Sequence, residues 1–127
     1  MLTRAHVVAF AATTDPDRAC RFYRDVLGLP LRSDDQFALA FDAHGTELRV
    51  QKVQQVVPHP YTTLGWRVGD VAATASALAA RGVVFERYPG LEQDGTGVWR
   101  APSGTRVAWF KDPDGNLLSL SDGGLNT

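Results

Sequence analysis

Little in this sequence names a chemistry by itself. One cysteine, Cys20, rules out an internal disulfide framework and fits a reducing compartment. Thirteen basic residues face fourteen acidic ones, and no run of like charge exceeds two, so neither a general nucleic-acid binder nor a charged disordered tail is indicated. No apolar run approaches the length of a membrane span. Met1-Leu2-Thr3-Arg4-Ala5-His6 lacks the basic-then-apolar order of a signal peptide. The expectation is a cytoplasmic protein with neither nucleic acid nor membrane as partner. There is no G-x-S-x-G, Walker A or G-x-G-x-x-G pattern. Asp112-Pro113-Asp114-Gly115-Asn116 is not a calcium loop, because its glycine comes too early and Gly123 stands where the bidentate acid belongs.

What the chain does have is a repeated design. Its 127 residues, 44% apolar, suffice for one domain with a hydrophobic core and not for two. Asp15-Pro16 reads as an N-cap followed by proline at the first helical position. Ala19, Phe22, Tyr23, Val26 and Leu27 then form one helix face, and Gly28 closes it. Asp70, the stripe Val71, Thr74, Ala75, Leu78 and Ala79, and Gly82 repeat the pattern, with the two caps 55 residues apart. A strand precedes each helix, roughly 4–12 and 62–68. After each helix come a short apolar run (Leu29 to Leu31, Val83 to Phe85) and a pair of strands around a turn containing Gly45 or Gly115. The order is βαβββ twice: an α+β domain over 1–127, with module 1 at about 4–53, a Pro-stiffened linker at 54–60 and module 2 at about 61–122. The two turn glycines are 70 residues apart, so module 2 carries about fifteen extra residues between Glu86 and Gly104. A loop of that length is either functional or a surface excursion with minor packing of its own.

Phe22-Tyr23-Arg24-Asp25-Val26-Leu27-Gly28-Leu29 and Asp112-Pro113-Asp114-Gly115-Asn116, set on this duplication, resemble the vicinal-oxygen-chelate superfamily (glyoxalases, bleomycin-resistance proteins and extradiol dioxygenases). The resemblance covers about residues 4 to 122. It implies two modules forming a cupped mixed sheet around a cavity, and usually a homodimer. In the enzymes it implies a divalent metal held by four inward-facing His, Gln or Glu side chains, acting as a Lewis acid. Strand alternation and the turn glycines place those four positions at His6, Arg49, Thr63 and Ser119. Only histidine is a good ligand, since arginine stays protonated and a neutral hydroxyl is a poor donor. A two-residue shift brings in Glu47 or Gln51 but does not repair the second module. No metal or other cofactor is therefore expected, and His6 is read as a cavity or dimer-contact residue.

The inward inventory then decides. Arg4, His6, Glu47, Arg49, Gln51, Thr63, Arg67, Ser119 and Ser121 give three arginines and a histidine against one acid. Guanidinium forks match carboxylate and phosphate. The expected function is metal-independent binding of a small anionic or oxygen-rich organic molecule by His6, Glu47, Arg49, Gln51, Thr63, Arg67 and Ser119. Trp99 and Trp109 serve either as stacking platforms or as packing residues. The competing readings are a structural Arg49–Glu47 ion pair, a glyoxalase- or dioxygenase-like metalloenzyme, and a metal-free lyase or isomerase using His6 or Glu47 as base.

Overall fold

The two caps that open the helices form as the side-chain chemistry dictates. In the computed structural model, which describes residues 1–123, the Asp15 carboxylate accepts from the Arg18 amide at 3.1 Å and that of Asp70 from the Ala73 amide at 3.0 Å. Gly28 and Gly82 close the two helical segments at φ +80° and +97°, a conformation that disfavours a Cβ.

The chain divides into two units, Met1–Pro58 and His59–Thr127. The first contains β1 (Val8–Thr13), α1 (Pro16–Cys20), a π-helical continuation (Arg21–Val26), β2 (Leu31–Asp34), β3 (Ala38–Ala43) and β4 (Thr46–Lys52). Its sheet runs β1-β4-β3-β2, parallel between β1 and β4 and antiparallel elsewhere. The second contains β5 (Leu64–Arg67), α2 (Val71–Ala79), β6 (Trp99–Arg100), β7 (Arg106–Lys111) and β8 (Leu117–Ser121), in the order β5-β8-β7-β6, with β5 parallel to β8. The fold is α+β, with two four-stranded mixed sheets built from βαβββ modules.

Two expectations need correction. The first helix is not α-helical throughout. From Arg21 it widens, so that the Leu27 amide reaches back five residues to Phe22 O at 2.9 Å. The first strand begins at Val8, not near Arg4, because the Ala5 amide donates to Leu2 O at 3.0 Å and turns the chain there.

Period-two alternation buries one face of each sheet. In unit 1, Ala11, Thr13, Leu39, Phe41, Leu48 and Val50 are buried, and Tyr23 packs its ring 5.7 Å from Phe41. The buried Thr13 hydroxyl is satisfied, donating to Asp15 O and accepting from the Asp15 amide, both at 3.0 Å. In unit 2 the corresponding set is Ala108, Phe110, Leu118 and Leu120, with Val71 and Ala75 of α2 also buried. The turn at 112–116 is a rigid structural part. Asp112 Oδ1 accepts from the amides of Asp114 and Asn116, and Asn116 Nδ2 donates to Asp112 Oδ2 at 2.8 Å.

Candidate functional site

Sheet register aligns the two units residue by residue. Arg49 lies opposite Phe10 and Ala40, and Ser119 lies opposite Gly65 and Trp109. Arg49 therefore corresponds to Ser119, Phe10 to Gly65, and Ala40 to Trp109. One pleat earlier, Val8 faces Glu47, and the Thr63 amide donates to Leu117 O at 2.8 Å, so Val8 corresponds to Thr63. The position equivalent to Thr63 is thus Val8 and not His6, which is exposed upstream of β1 together with Arg4. Both residues fall outside the sheet and leave the inward inventory.

The four positions become Val8, Arg49, Thr63 and Ser119. An aliphatic group, a permanent cation and two neutral hydroxyls are not a divalent-metal donor set. Among the described residues no three His, Cys, Asp or Glu side chains stand together as metal ligands. The residues present do not fit the metal that the resemblance implies.

The open face of unit 1 carries Glu47, Arg49 and Gln51, alternating with the buried Leu48 and Val50. Arg49 Nη1 stands 3.5 Å from Glu47 Oε2. Amide hydrogen bonds from Phe37 and Ala38 hold the Asp35 carboxyl below its ordinary range, and the charge of Arg49 adds to this. Arg49 thus has acids of its own unit nearby. A pair this exposed contributes about 0–1 kcal/mol. Val8 and Phe10, 40% and 48% exposed, flank the pair on the same face.

The open face of unit 2 is different in kind. One rung crosses all four strands in register: Arg67, Ser121, Val107, Trp99. The adjacent rung reads Gly65, Ser119, Trp109. The indole rings of Trp99 and Trp109 lie 5.9 Å apart at 31°. The Thr63, Ser119 and Ser121 side-chain hydroxyls make no hydrogen bond to the described residues. Gly65 lets the Ser119 hydroxyl lie close over its backbone, since a Cβ on it would stand 2.6 Å from Ser119 Oγ. Where unit 1 has Phe10 and Ala40, unit 2 has a glycine and an indole.

The extra residues of unit 2 build the aromatic end. Phe85 bridges to Phe110, as Leu31 pairs with Phe41 in unit 1, and the chain then leaves the sheet until Trp99. Gln93 ties this excursion together. Its Nε2 donates to Glu86 O at 2.8 Å and Gly97 O at 2.9 Å, and its Oε1 accepts from the Tyr88 amide at 2.8 Å. Tyr88 is thereby set edge-on to Trp109, at 5.5 Å and 84°. Burial, with the nearby Glu86 charge, raises the Tyr88 phenol above its ordinary value, so it stays protonated. Sequence reasoning did not single out Tyr88 or Gln93, because strand alternation does not extend into an irregular segment.

With this geometry in hand, comparison with known proteins is decisive for the family. The family model described as Glyoxalase/Bleomycin resistance protein/Dioxygenase superfamily matches residues 3–120. The chain belongs to this superfamily. Among its relatives is a probable lactoylglutathione lyase of Vibrio cholerae, 27% identical over 120 residues, covering 84% of this chain and 81% of the relative. Another is the protein YraH of Bacillus subtilis, 30% identical over 122 residues, covering 84% and 88%. Solved structures with the same fold include a lactoylglutathione lyase from Agrobacterium tumefaciens, at TM-score 0.74 and 19% identity, covering 95% of this chain and 96% of that one. A superfamily member from Sphaerobacter thermophilus matches at TM-score 0.72 and 24% identity, covering 95% and 98%. As in other members of the superfamily, the two modules share a plan, and here their open faces have diverged. No helix among the described residues is long and apolar enough to cross a membrane.

Proposed function

We propose that this superfamily member binds a small oxygen-rich organic acid without a metal, on the open face of the second sheet. The observation that carries the reading is the rung Arg67–Ser121–Val107–Trp99 beside Gly65–Ser119–Trp109. Strands lie about 4.8 Å apart, so the rung spans roughly 14 Å from cation to indole. A guanidinium and hydroxyls that make no hydrogen bond to the described residues suit an anionic, oxygen-bearing end. The two indoles suit a flat or apolar body. Arg49 stands beside Glu47 on the face of the first sheet, and the ligand set proposed on the second is Thr63, Arg67, Trp99, Trp109, Ser119 and Ser121.

The second reading, a metal-dependent lyase, is favoured by the name of the Vibrio cholerae relative and opposed by the donor set. Tryptophan quenching by 4-hydroxybenzoate and 4-hydroxybenzamide separates the two. The acid should bind more tightly, without change on adding a chelator. Arg67→Met should remove the preference for the acid, and Trp99→Ala should weaken both ligands. Equal binding of acid and amide by the parent protein refutes the anionic reading, and binding that a chelator abolishes refutes the metal-free one.

A further inference from the structure

The second unit has another concavity, away from the residues just assigned. A recess of about 350 Å³ lies against the later half of α2 and the excursion that follows it. Ala79, Val83 and Phe85 give it apolar walls, and Ser76, Arg87 and Thr96 give it polar ones. The volume is at the small end of small-molecule clefts.

Three features show that its outer wall is built and not incidental. The excursion is pinned from within by Gln93, as described. Asp94 pins it again, Oδ1 accepting from the Thr96 amide at 2.9 Å, the Thr96 hydroxyl at 2.7 Å and the Val98 amide at 3.0 Å. Gly97, at φ +92°, brings the wall so close to the floor that a Cβ there would stand 2.9 Å from Phe85 Cβ.

The polar side has one sign. Arg87 donates from Nη2 to Asp94 O at 2.7 Å and from Nη1 to Gln93 O at 3.5 Å, and no carboxylate pairs with it among the described residues. A guanidinium has five N–H donors, so three remain. The Ser76 hydroxyl has no side-chain partner among the described residues. No acid lines the recess. Of the acids on the excursion, Asp94 has three donors on one oxygen and Glu86 pairs with Lys111 at 3.5 Å. A fixed cation beside a hydroxyl and an apolar floor recognises a carboxylate with a short aliphatic tail.

We propose that this recess is a second ligand site of the chain, taking a small aliphatic monocarboxylate, with Arg87 and Ser76 on the carboxylate and Val83 and Phe85 on the tail. The inference is independent of the sheet-face reading. The probe is butyrate, with butyramide as control, followed by backbone amide NMR shifts on the whole chain. Butyrate should shift Ser76, Arg87 and Thr96 saturably, and butyramide should bind at least about tenfold more weakly, the loss of one charge-assisted contact. Ala79→Leu, which fills the recess from the helix side and leaves Arg87 in place, should abolish the shifts. Arg87→Met should do the same with the remaining spectrum preserved. Arg67→Met should leave butyrate binding unchanged. Absence of saturable shifts, equal binding of the amide, persistence in Ala79→Leu, or shifts centred on Arg67 and Ser119 would each overturn the proposal.

Discussion

Gln93→Leu is the substitution that most directly tests how the aromatic end of unit 2 is held. Leucine keeps the volume and removes three hydrogen bonds, leaving Glu86 O, Gly97 O and the Tyr88 amide without their side-chain partner. Each such bond contributes about 0.5–1.5 kcal/mol net, which for three gives roughly 1.5–4.5 kcal/mol. Gln93 is half-buried, so water recovers part of the loss, and about 2 kcal/mol is expected. A chain of this length has an unfolding entropy of about 0.27 kcal/mol/K, so Tm should fall by about 7 °C. The fall should come with a spectral change, because the same side chain seats Tyr88 against Trp109, and the Gln93 backbone forms the bridge to Trp99. Near-UV circular dichroism should weaken while the far-UV spectrum holds. Gln93→Glu should be at least as damaging, since a carboxylate cannot donate to two carbonyls. A Tm within about 2 °C of the parent, with unchanged near-UV signal, would refute the assignment of Gln93 as the tie.

Two further outcomes follow from the same excursion. Gly97→Ala should cost about 1–3 kcal/mol in denaturant melts, through positive φ and contact with Phe85, while Gly95→Ala, with open space around it, should stay within about 0.5 kcal/mol. The Asp94 carboxyl is held below its ordinary value, first by the Thr96 hydroxyl and then by backbone amides. A depressed carboxylate gives stability that is present above its unfolded pKa and lost as pH falls through the folded one. Protection of the Thr96 and Val98 amides should therefore decline below about pH 4. Asp94→Asn should show no such acid step, and an identical step in that variant would assign it elsewhere.

The duplication was legible because it is written in local chemistry. Asp15 and Asp70 cap helices, glycines end them at positive φ, and alternation in 46–52 and 117–121 puts Leu48, Val50, Leu118 and Leu120 on the buried face. The site was legible only in part. Thr63, Arg67 and Ser119 lie on the face where alternation put them, and Trp99 and Trp109, which alternation had not placed, share it. His6 was misplaced because counting from a presumed strand start carries no register, and the turn closed by Ala5 and Leu2 O is not visible in a hydrophobic pattern. The π-helical widening after Cys20 was equally hidden, since its apolar spacing also suits an α-helix.

The segments that carry the family likeness are structural ones. Tyr23, in the first helical segment, is fully buried, and Asp112 and Asn116, in the second turn, are nearly so. They are satisfied by backbone and by one another, and neither segment contributes to an open sheet face. Selection for folding alone would keep them. The positions that meet solvent on those faces are free of that constraint, and there the two halves of this one chain already differ: Phe10 against Gly65, Arg49 against Ser119. Two modules that share a core and a turn yet present an ion pair on one face and indoles with hydroxyls on the other show how cheaply the face changes. An identity of 27% to a probable lyase can therefore arise wholly from core and turn without carrying a metal ligand. The chemistry lies with the face residues, and the proposed recognition rests on their charge, hydroxyls and rings.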